Sequence, residues 1–166
     1  MAAELSDVDL THLRAAIEVA ADAARRGNRP FGSVVVDRDG EVVGSGANSV
    51  VDTGAFLDHA EMNALRVVPP DRLDGSTVYA SDEPCSMCAS AAHLAGVTRI
   101  VYALPAAQLG EVMGELDVDP TARAPVIALP AEELLARGER PIEVVGGVLA
   151  DESAATHRAY WSRFSR

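Results

Sequence analysis

The sequence has 166 residues, of which 48% are hydrophobic and 23% are charged. This length and composition predict a single globular domain over residues 1–166 and exclude an intrinsically disordered chain. Acidic residues outnumber basic residues by 25 to 14, and the formal net charge is −11. Because nucleic-acid backbones are bound by clustered basic side chains, this charge argues against a DNA or RNA partner and favours a small-molecule ligand.

The sequence has no sign of a membrane or secreted protein. No apolar run reaches the length that a bilayer crossing requires. The N-terminal residues Met-Ala-Ala-Glu have neither the basic start nor the apolar stretch of a signal peptide. The two cysteines are spaced as Cys-x-x-Cys, which in a cytosolic chain indicates metal or redox chemistry rather than a structural disulfide. We therefore expect a cytoplasmic protein without a membrane partner.

The first part of the chain predicts one helix and a β-hairpin. Ser6 is a suitable N-cap for the helix, and apolar residues recur after it at helical spacing until Gly27 and Pro30 end the pattern. Two strand-like runs follow at residues 33–36 and 41–46. The turn between them contains Asp-Gly, which is typical of hairpins.

The rest of the chain alternates between helices and strands, after a polar passage at residues 48–58 that we expect to be flexible. Helices are predicted at residues 59–67, 85–94 and 151–164, strands at 77–80, 99–103 and 142–145, and helical pieces broken by prolines at 106–138. Strands that alternate with helices after an opening hairpin indicate an α/β domain with a mixed sheet, here of five strands.

Two short motifs, His59-x-Glu61 and Cys85-x-x-Cys88, contain residue types that bind metals. One imidazole and two thiolates suit Zn²⁺, which prefers nitrogen and sulfur ligands in tetrahedral geometry. Each motif opens a predicted helix, where exposed N–H groups and a partial positive charge favour the thiolate form. Since Glu61 lies about 200° around a helix from His59, we expect His59 at the helix edge rather than in its body.

Three protein ligands leave the fourth position of a tetrahedral zinc ion open, as in catalytic sites. Two alternatives remain open. A closed structural zinc module needs a fourth ligand, and none of the other histidines (His12, His93 and His157) has ligand-like spacing. A redox Cys-x-x-Cys accounts for the cysteines but not for His59-x-Glu61.

The motifs and their surroundings resemble the cytidine and deoxycytidylate deaminase-like superfamily of zinc enzymes. The resemblance covers residues 10–110 well and the remainder loosely. It is carried by His59-Ala60-Glu61 together with residues 30–36, Asn48, residues 83–88 and residues 99–103. Within the superfamily the sequence is most similar to the branch of guanine deaminases and other small-base deaminases, and it is similar also to tRNA adenosine deaminase.

This resemblance implies a three-layer α/β/α fold, a homodimer, and hydrolysis of an exocyclic amino group with release of ammonia. The substrate implied is a guanine-, cytosine- or amino-triazine-like base or nucleoside. Glu61 then moves the protons without binding the metal. Phe31 forms part of the pocket wall, Asn48 hydrogen-bonds the substrate, and the backbone around Ala60 and Glu83 contacts polar atoms of the ring.

Gln108 marks a departure from the guanine deaminase pattern. Guanine deaminases tend to have an aspartate shortly after the strand that corresponds to residues 99–103, where this chain has Ala-Ala-Gln. A neutral amide both donates and accepts hydrogen bonds, so Gln108 is a candidate for reading a different ring edge.

Two alternative functions stay open: a tRNA adenosine deaminase-like editing enzyme and a non-catalytic zinc module.

Overall fold

The structure, a computed structural model, describes residues 5–166. Residues 1–4, on which part of the signal-peptide argument rests, lie outside this range. Helices within it are α1 (Asp7–Arg25), α2 (Val50–Thr53), α3 (Ala60–Arg66), α4 (Pro70–Leu73), α5 (Ser86–Ala95), α6 (Ala106–Glu115), α7 (Ala131–Leu135) and α8 (Ala150–Trp161). Strands are β1 (Gly32–Val36), β2 (Val42–Ala47), β3 (Thr77–Asp82), β4 (Arg99–Leu104) and β5 (Glu143–Val145).

Helix α1 begins where the sequence predicts. The Ser6 hydroxyl accepts a hydrogen bond from the Asp9 N–H at 3.1 Å, and the Asp9 carboxylate accepts one from the Ser6 N–H at 2.9 Å. This reciprocal pair binds two of the N–H groups that the first turn of a helix leaves without partners. The Ser6 cap is therefore confirmed.

The five strands form one mixed sheet in the order β2-β1-β3-β4-β5. Strand β1 is antiparallel to both β2 and β3, whereas β3, β4 and β5 are parallel. The amino end of β1 and the carboxyl ends of β3 and β4 therefore lie at the same edge of the sheet. The predicted hairpin and the mixed five-stranded sheet are both confirmed.

Successive residues in each strand point to opposite faces of the sheet. Both faces are apolar, and helices cover both of them. Val34 and Tyr79 pack with Leu13 and other residues of α1 on one face. Val35 and Ile100 pack on the other face in a cluster that also contains residues of α3, α5 and α7. The expected three-layer α/β/α architecture is confirmed.

Helix α3 lies against β2 at a distance that only glycine allows. A Cβ atom added at Gly46 would lie 2.3 Å from the backbone nitrogen of Ala64 and 2.4 Å from the carbonyl oxygen of Ala60. Any larger residue at this position would push α3 away from the sheet. The sequence pattern does not predict this contact, which fixes the helix that follows His59.

The passage at residues 48–58, predicted to be polar and flexible, contains the single-turn helix α2. Its ends are joined by a hydrogen bond from the Ser49 N–H to the Asp58 carbonyl at 3.0 Å. Short-range hydrogen bonds thus fold this segment back on itself, and its flexibility stays a prediction. No helix in the described part of the chain is both long and apolar enough to cross a membrane.

Candidate active site

Three metal-binding side chains meet at one edge of the sheet. Sγ of Cys85 lies 3.6 Å from Nδ1 of His59 and 3.6 Å from Sγ of Cys88, and the distance from Cys88 Sγ to His59 Nδ1 is also 3.6 Å. No other histidine, cysteine or carboxylate within residues 5–166 joins this cluster. A site with three protein ligands is open, so the arrangement lacks the fourth ligand of a closed structural module.

The triangle of donor atoms has the size that zinc requires. Zn–S bonds of about 2.3 Å and a Zn–N bond of about 2.0–2.1 Å at tetrahedral angles separate the ligand atoms by roughly 3.5–3.8 Å. The three separations of 3.6 Å fall in this range. One imidazole and two sulfur atoms are also a donor set that zinc prefers. The residues present therefore fit a zinc ion.

His59 and Cys85 hold equivalent positions in the fold. Each is the N-cap of a helix, α3 or α5, with an extended backbone. Neither side chain makes a capping hydrogen bond, so both remain free to turn toward the metal position. Cys88 follows one turn later on the buried side of α5. The sequence-based expectation that His59 lies at the helix edge is confirmed.

Asn63, one turn after His59, fixes the start of α3. Its amide nitrogen donates to the Ala47 carbonyl at 2.9 Å and to the Ser49 hydroxyl at 3.0 Å. The Asn63 N–H also donates to the His59 carbonyl at 2.9 Å. These bonds tie the first turn of α3 to the end of β2, and they hold the backbone of His59 in place.

Glu61 is the second residue of α3, and its side chain is buried beside the ligands. Burial raises the pKa of its carboxyl to about 7, because the charged form loses contact with water. Hydrogen bonding with its own backbone N–H, the charge of His59 and hydrogen bonding with Cys88 lower the pKa of the same carboxyl, whereas the charge of Cys85 raises it, and burial outweighs the lowering effects. A carboxyl group held next to a metal position is suited to transferring protons there.

The two thiols are electrostatically different. Hydrogen bonding with Cys88, followed by the effect of His59, holds the pKa of Cys85 at about 4. The pKa of Cys88 is raised, because of its hydrogen bond with Cys85 and its burial. The pKa of His59 is raised as well, mainly by its hydrogen bond with Cys85. Cys85 is therefore the thiol that most readily takes the thiolate form that binds metals.

Phe31 and Asn48, both expected to contact the substrate, lie at the same edge. Phe31 precedes β1, and the pairing of β1 with β3 places it opposite Asp82, three residues before Cys85. The N–H of Asn48 donates to the Phe31 carbonyl at 3.0 Å. The Asn48 side chain is buried, and its carbonyl oxygen accepts a hydrogen bond from the Val50 N–H at 3.2 Å.

The other three residues expected at the substrate have different surroundings. Ala60 is buried at the start of α3. The Glu83 N–H donates to the Leu104 carbonyl at 2.8 Å, and its carboxylate accepts from the N–H groups of Ala106 and Ala131 at 2.9 and 2.8 Å. Gln108 is exposed in the first turn of α6. Contact of these residues with a substrate stays a prediction.

A buried polar cluster next to the site was not predicted from the sequence. His157 in α8 is fully buried, and its Nε2 lies 2.7 Å from Oδ1 of Asp82, the last residue of β3. The spacing of His157 and Trp161, four residues apart on a helix, is a signal for their contact. Nothing in the sequence pattern indicates that this pair would meet Asp82.

The chain is similar in sequence to proteins of known description. The sequence pattern described as the cytidine and deoxycytidylate deaminase zinc-binding region matches residues 6–104. A probable cytosine deaminase of Schizosaccharomyces pombe is 34% identical over 95% of both chains. A tRNA-specific adenosine deaminase of Bacillus subtilis is 30% identical over 92% of this chain and 88% of its own length.

A solved structure of similar fold is that of a mutant of the protein NE0047 in complex with 8-azaguanine. It has a TM-score of 0.75 and 25% sequence identity, and the match covers 93% of this chain and 85% of that one. The sequence match spans the metal-binding cluster and Glu61, and it extends over more than half of the chain. The chain therefore belongs to the cytidine and deoxycytidylate deaminase family of zinc-binding proteins.

Proposed function

We propose that this protein is a hydrolytic deaminase of a small amino-heterocycle, and that His59, Cys85 and Cys88 hold its zinc ion. The observation that carries the proposal is the triangle of three donor atoms with the buried carboxyl of Glu61 beside it. When bound, zinc supplies a Lewis acid that lowers the pKa of a water molecule to about 7.

Glu61 performs the proton transfers in this proposal. Its carboxylate takes a proton from the attacking water and delivers it to the ring nitrogen next to the target carbon. The water oxygen forms a bond with that carbon. Glu61 then transfers the second proton of the former water molecule from the new hydroxyl group to the exocyclic amino group. The C–N bond breaks, ammonia leaves, and a carbonyl group remains on the ring. The burial of Glu61 keeps bulk water from competing for these protons.

Two side chains near the cluster and the relatives support a substrate class. Phe31 offers an apolar ring, and Asn48 offers an amide group that can recognise a polar ring edge. The relatives named above include a probable cytosine deaminase, and NE0047 binds 8-azaguanine. We therefore propose a guanine-, cytosine- or amino-triazine-like base or nucleoside as substrate. Because few phosphates can be neutralised by a chain of net charge −11, a polynucleotide is disfavoured.

The test is ammonia release from guanine, adenine, cytosine, their nucleosides and amino-triazines, measured with zinc-loaded protein. We expect turnover of at least one of these compounds, and nearly complete loss of that turnover in the Glu61→Gln variant. Absence of turnover for the whole panel by protein that contains one zinc ion per chain would reject the proposal.

A tRNA deaminase is the second candidate, favoured by the near full-length match to the adenosine deaminase of Bacillus subtilis. A fluorescence anisotropy titration with tRNA at physiological salt separates the two. We expect weak binding, whereas tight and salt-sensitive binding would favour the editing enzyme. A homodimer and a cytoplasmic location stay predictions, and sedimentation equilibrium tests the former.

A further inference from the structure

His157 connects helix α8 to two parts of the candidate active site. It lies on the inner side of α8 and is 0% exposed. The indole N–H of Trp161 donates to its Nδ1 at 3.0 Å. Nδ1 is therefore an acceptor, which places the ring proton of a neutral imidazole on Nε2. The same nitrogen lies next to the carboxylate of Asp82.

The first connection runs through Asp82 to the strand that precedes Cys85. Nε2 of His157 lies 2.7 Å from Oδ1 of Asp82 in a close polar contact, although its N–H is not aimed at that oxygen, and neither atom has a hydrogen-bond partner within residues 5–166. Asp82 ends β3, three residues before Cys85. A buried carboxylate without this contact would be costly, so the pair holds the end of β3 against α8.

The same carboxylate reaches across the sheet to β1. Its Oδ2 accepts a hydrogen bond from the Ser81 hydroxyl at 2.5 Å, and that hydroxyl oxygen accepts one from the Gly32 N–H at 3.0 Å. Gly32 directly follows Phe31. A continuous polar chain therefore runs from His157 to the backbone beside the proposed pocket wall.

The second connection is a direct contact between rings. The His157 ring packs against the Phe31 ring with centroids 5.1 Å apart and planes at 70°. Such an edge-to-face contact fixes the orientation of the ring that it meets. Since the Asn48 N–H donates to the carbonyl of Phe31, this contact also supports the second residue proposed to bind substrate.

An ordinary core position would not require this chemistry. An apolar side chain fills buried space without needing a carboxylate opposite it, and a buried polar pair contributes little net stability compared with apolar packing. Here the polar pair lies between Phe31 and the strand leading to Cys85. This position suits a residue that aligns other residues of the site. One contact orients the ring of Phe31, and the other positions the strand that leads to Cys85.

We propose that His157 is a positioning residue for the deaminase site, with its Nε2 edge packed on Asp82 at the end of the strand before Cys85 and its ring holding Phe31. The role of Phe31 in substrate binding rests on the proposed function. Helix α8 contributes none of the proposed metal ligands, but through His157 it would position residues of the site.

Two substitutions separate the two contacts. His157→Phe keeps a ring against Phe31 but removes the polar edge next to Asp82, whereas His157→Gln keeps a polar N–H group and removes the ring. The control is His12→Phe, because the ring of His12 packs on Tyr79 at the same centroid distance of 5.1 Å but away from the metal cluster. Each protein is loaded with Co²⁺ in place of zinc for absorption spectra, and with zinc for kinetics.

The two substitutions of His157 are expected to change different measurements. His157→Phe shifts the thiolate-to-cobalt absorption bands, because the strand before Cys85 loses its anchor, and its KM for cytosine or guanine stays close to the wild-type value. His157→Gln keeps the wild-type cobalt spectrum and raises KM by about tenfold, the upper range for one edge-to-face contact. His12→Phe changes neither. Asp82→Asn, which keeps the shape and removes the charge, serves as a second variant that shifts the cobalt bands.

Two outcomes would overturn the positioning role. In one, both His157 variants keep the wild-type spectrum and KM. In the other, both measurements change in parallel with the melting temperature, as for a residue that only fills space. If the wild-type protein deaminates nothing, the proposed function fails, and the cobalt spectra of His157→Phe and Asp82→Asn still decide whether His157 positions the strand before Cys85.

Discussion

Asn28 and Asp52 hold each other through two hydrogen bonds. The Asn28 amide nitrogen donates to the Asp52 carboxylate at 2.7 Å, and the Asp52 N–H donates to the Asn28 carbonyl oxygen at 3.1 Å. Asn28 is buried in the turn before β1, and Asp52 belongs to α2. The pair therefore fastens the segment that leads to His59 onto the loop that leads to Phe31.

Asp52→Ala should loosen this segment. The buried amide of Asn28 would lose a charged partner, which typically costs about 1–3 kcal/mol in the free energy of unfolding. Amide hydrogen exchange at residues 50–54 should become faster, and urea denaturation measures the stability. The control is Asp71→Ala, an exposed acid in the first turn of α4. Equal stability of the two variants would contradict the prediction.

The Cys85→Ala and Cys88→Ala variants should lose zinc. Each removes one of three protein ligands, and a site with two ligands binds the metal far more weakly. Elemental analysis after dialysis should find one zinc ion per chain in the wild type and in Ser86→Ala, a change between the cysteines that removes no ligand. Full zinc retention in the double cysteine variant would refute the assignment.

Glu61→Gln should keep the metal and the fold but lose nearly all turnover, because an amide cannot carry protons between water and the ring. General acid–base catalysis typically contributes a factor of about 10²–10⁴. The measurement is kcat at equal zinc content, with the exposed Glu111→Gln as the control. Near-native activity of zinc-loaded Glu61→Gln would remove Glu61 from the mechanism.

Gln108→Asp should change the ranking of substrates if residue 108 reads the ring edge. Gln donates and accepts hydrogen bonds, whereas ionised Asp only accepts, so a guanine-like N–H edge gains relative to cytosine or triazine. An acid in the first turn of α6 is compatible with the helix dipole, so stability should not fall. The test is kcat/KM for several bases, with Ala107→Asp as the matched control. An equal change for all substrates would exclude Gln108 as a selector.

Asp9→Asn tests stability against pH at a site far from the metal. Burial alone raises the pKa of Asp9, but hydrogen bonds from Arg99, Tyr79 and Ser6 outweigh it and hold that pKa well below its usual range. A group with a lowered folded-state pKa stabilises the protein above its unfolded pKa of about 3.9, and this contribution is lost as the pH falls through the folded value.

The wild type should therefore exceed Asp9→Asn by about 1.5–3 kcal/mol in the free energy of unfolding at pH 7, the range for hydrogen bonds to charged groups. The gap should narrow below pH 4, as the acid becomes protonated. Asp7→Asn, a change of an exposed acid in the same helical turn, is the control. A gap that is independent of pH would show that the charge of Asp9 does not stabilise the fold.

Local patterns predicted most of the fold and the metal cluster. Ser6, the Asp-Gly turn and the helix that opens at Cys85 are short-range signals, because each depends on neighbouring residues alone. The spacing of His59, Cys85 and Cys88 indicated the ligand set, since metal chemistry restricts the residue types that can meet. These parts required no knowledge of the tertiary structure.

Contacts between distant segments could not be predicted in the same way. Asp82 ends a short apolar strand, and its distance from His157 along the chain is large, so only the packing of α8 against β4 brings them together. Gly46 similarly shows its importance only when α3 is placed on the sheet. The position of Gln108 on an exposed helical turn also depends on where α6 begins, and its contact with a substrate stays a prediction.

The carboxylate of Glu83 serves two helices that have no side-chain cap of their own. Helices α6 and α7 each follow a proline, Pro105 or Pro130, and the first N–H group of each donates to Glu83. A graft of this region from a relative would therefore have to preserve the spacing between two helix starts, as well as sequence and loop length. Chimeras that exchange residues 105–135 should be tolerated only where both helix starts still meet this single acid.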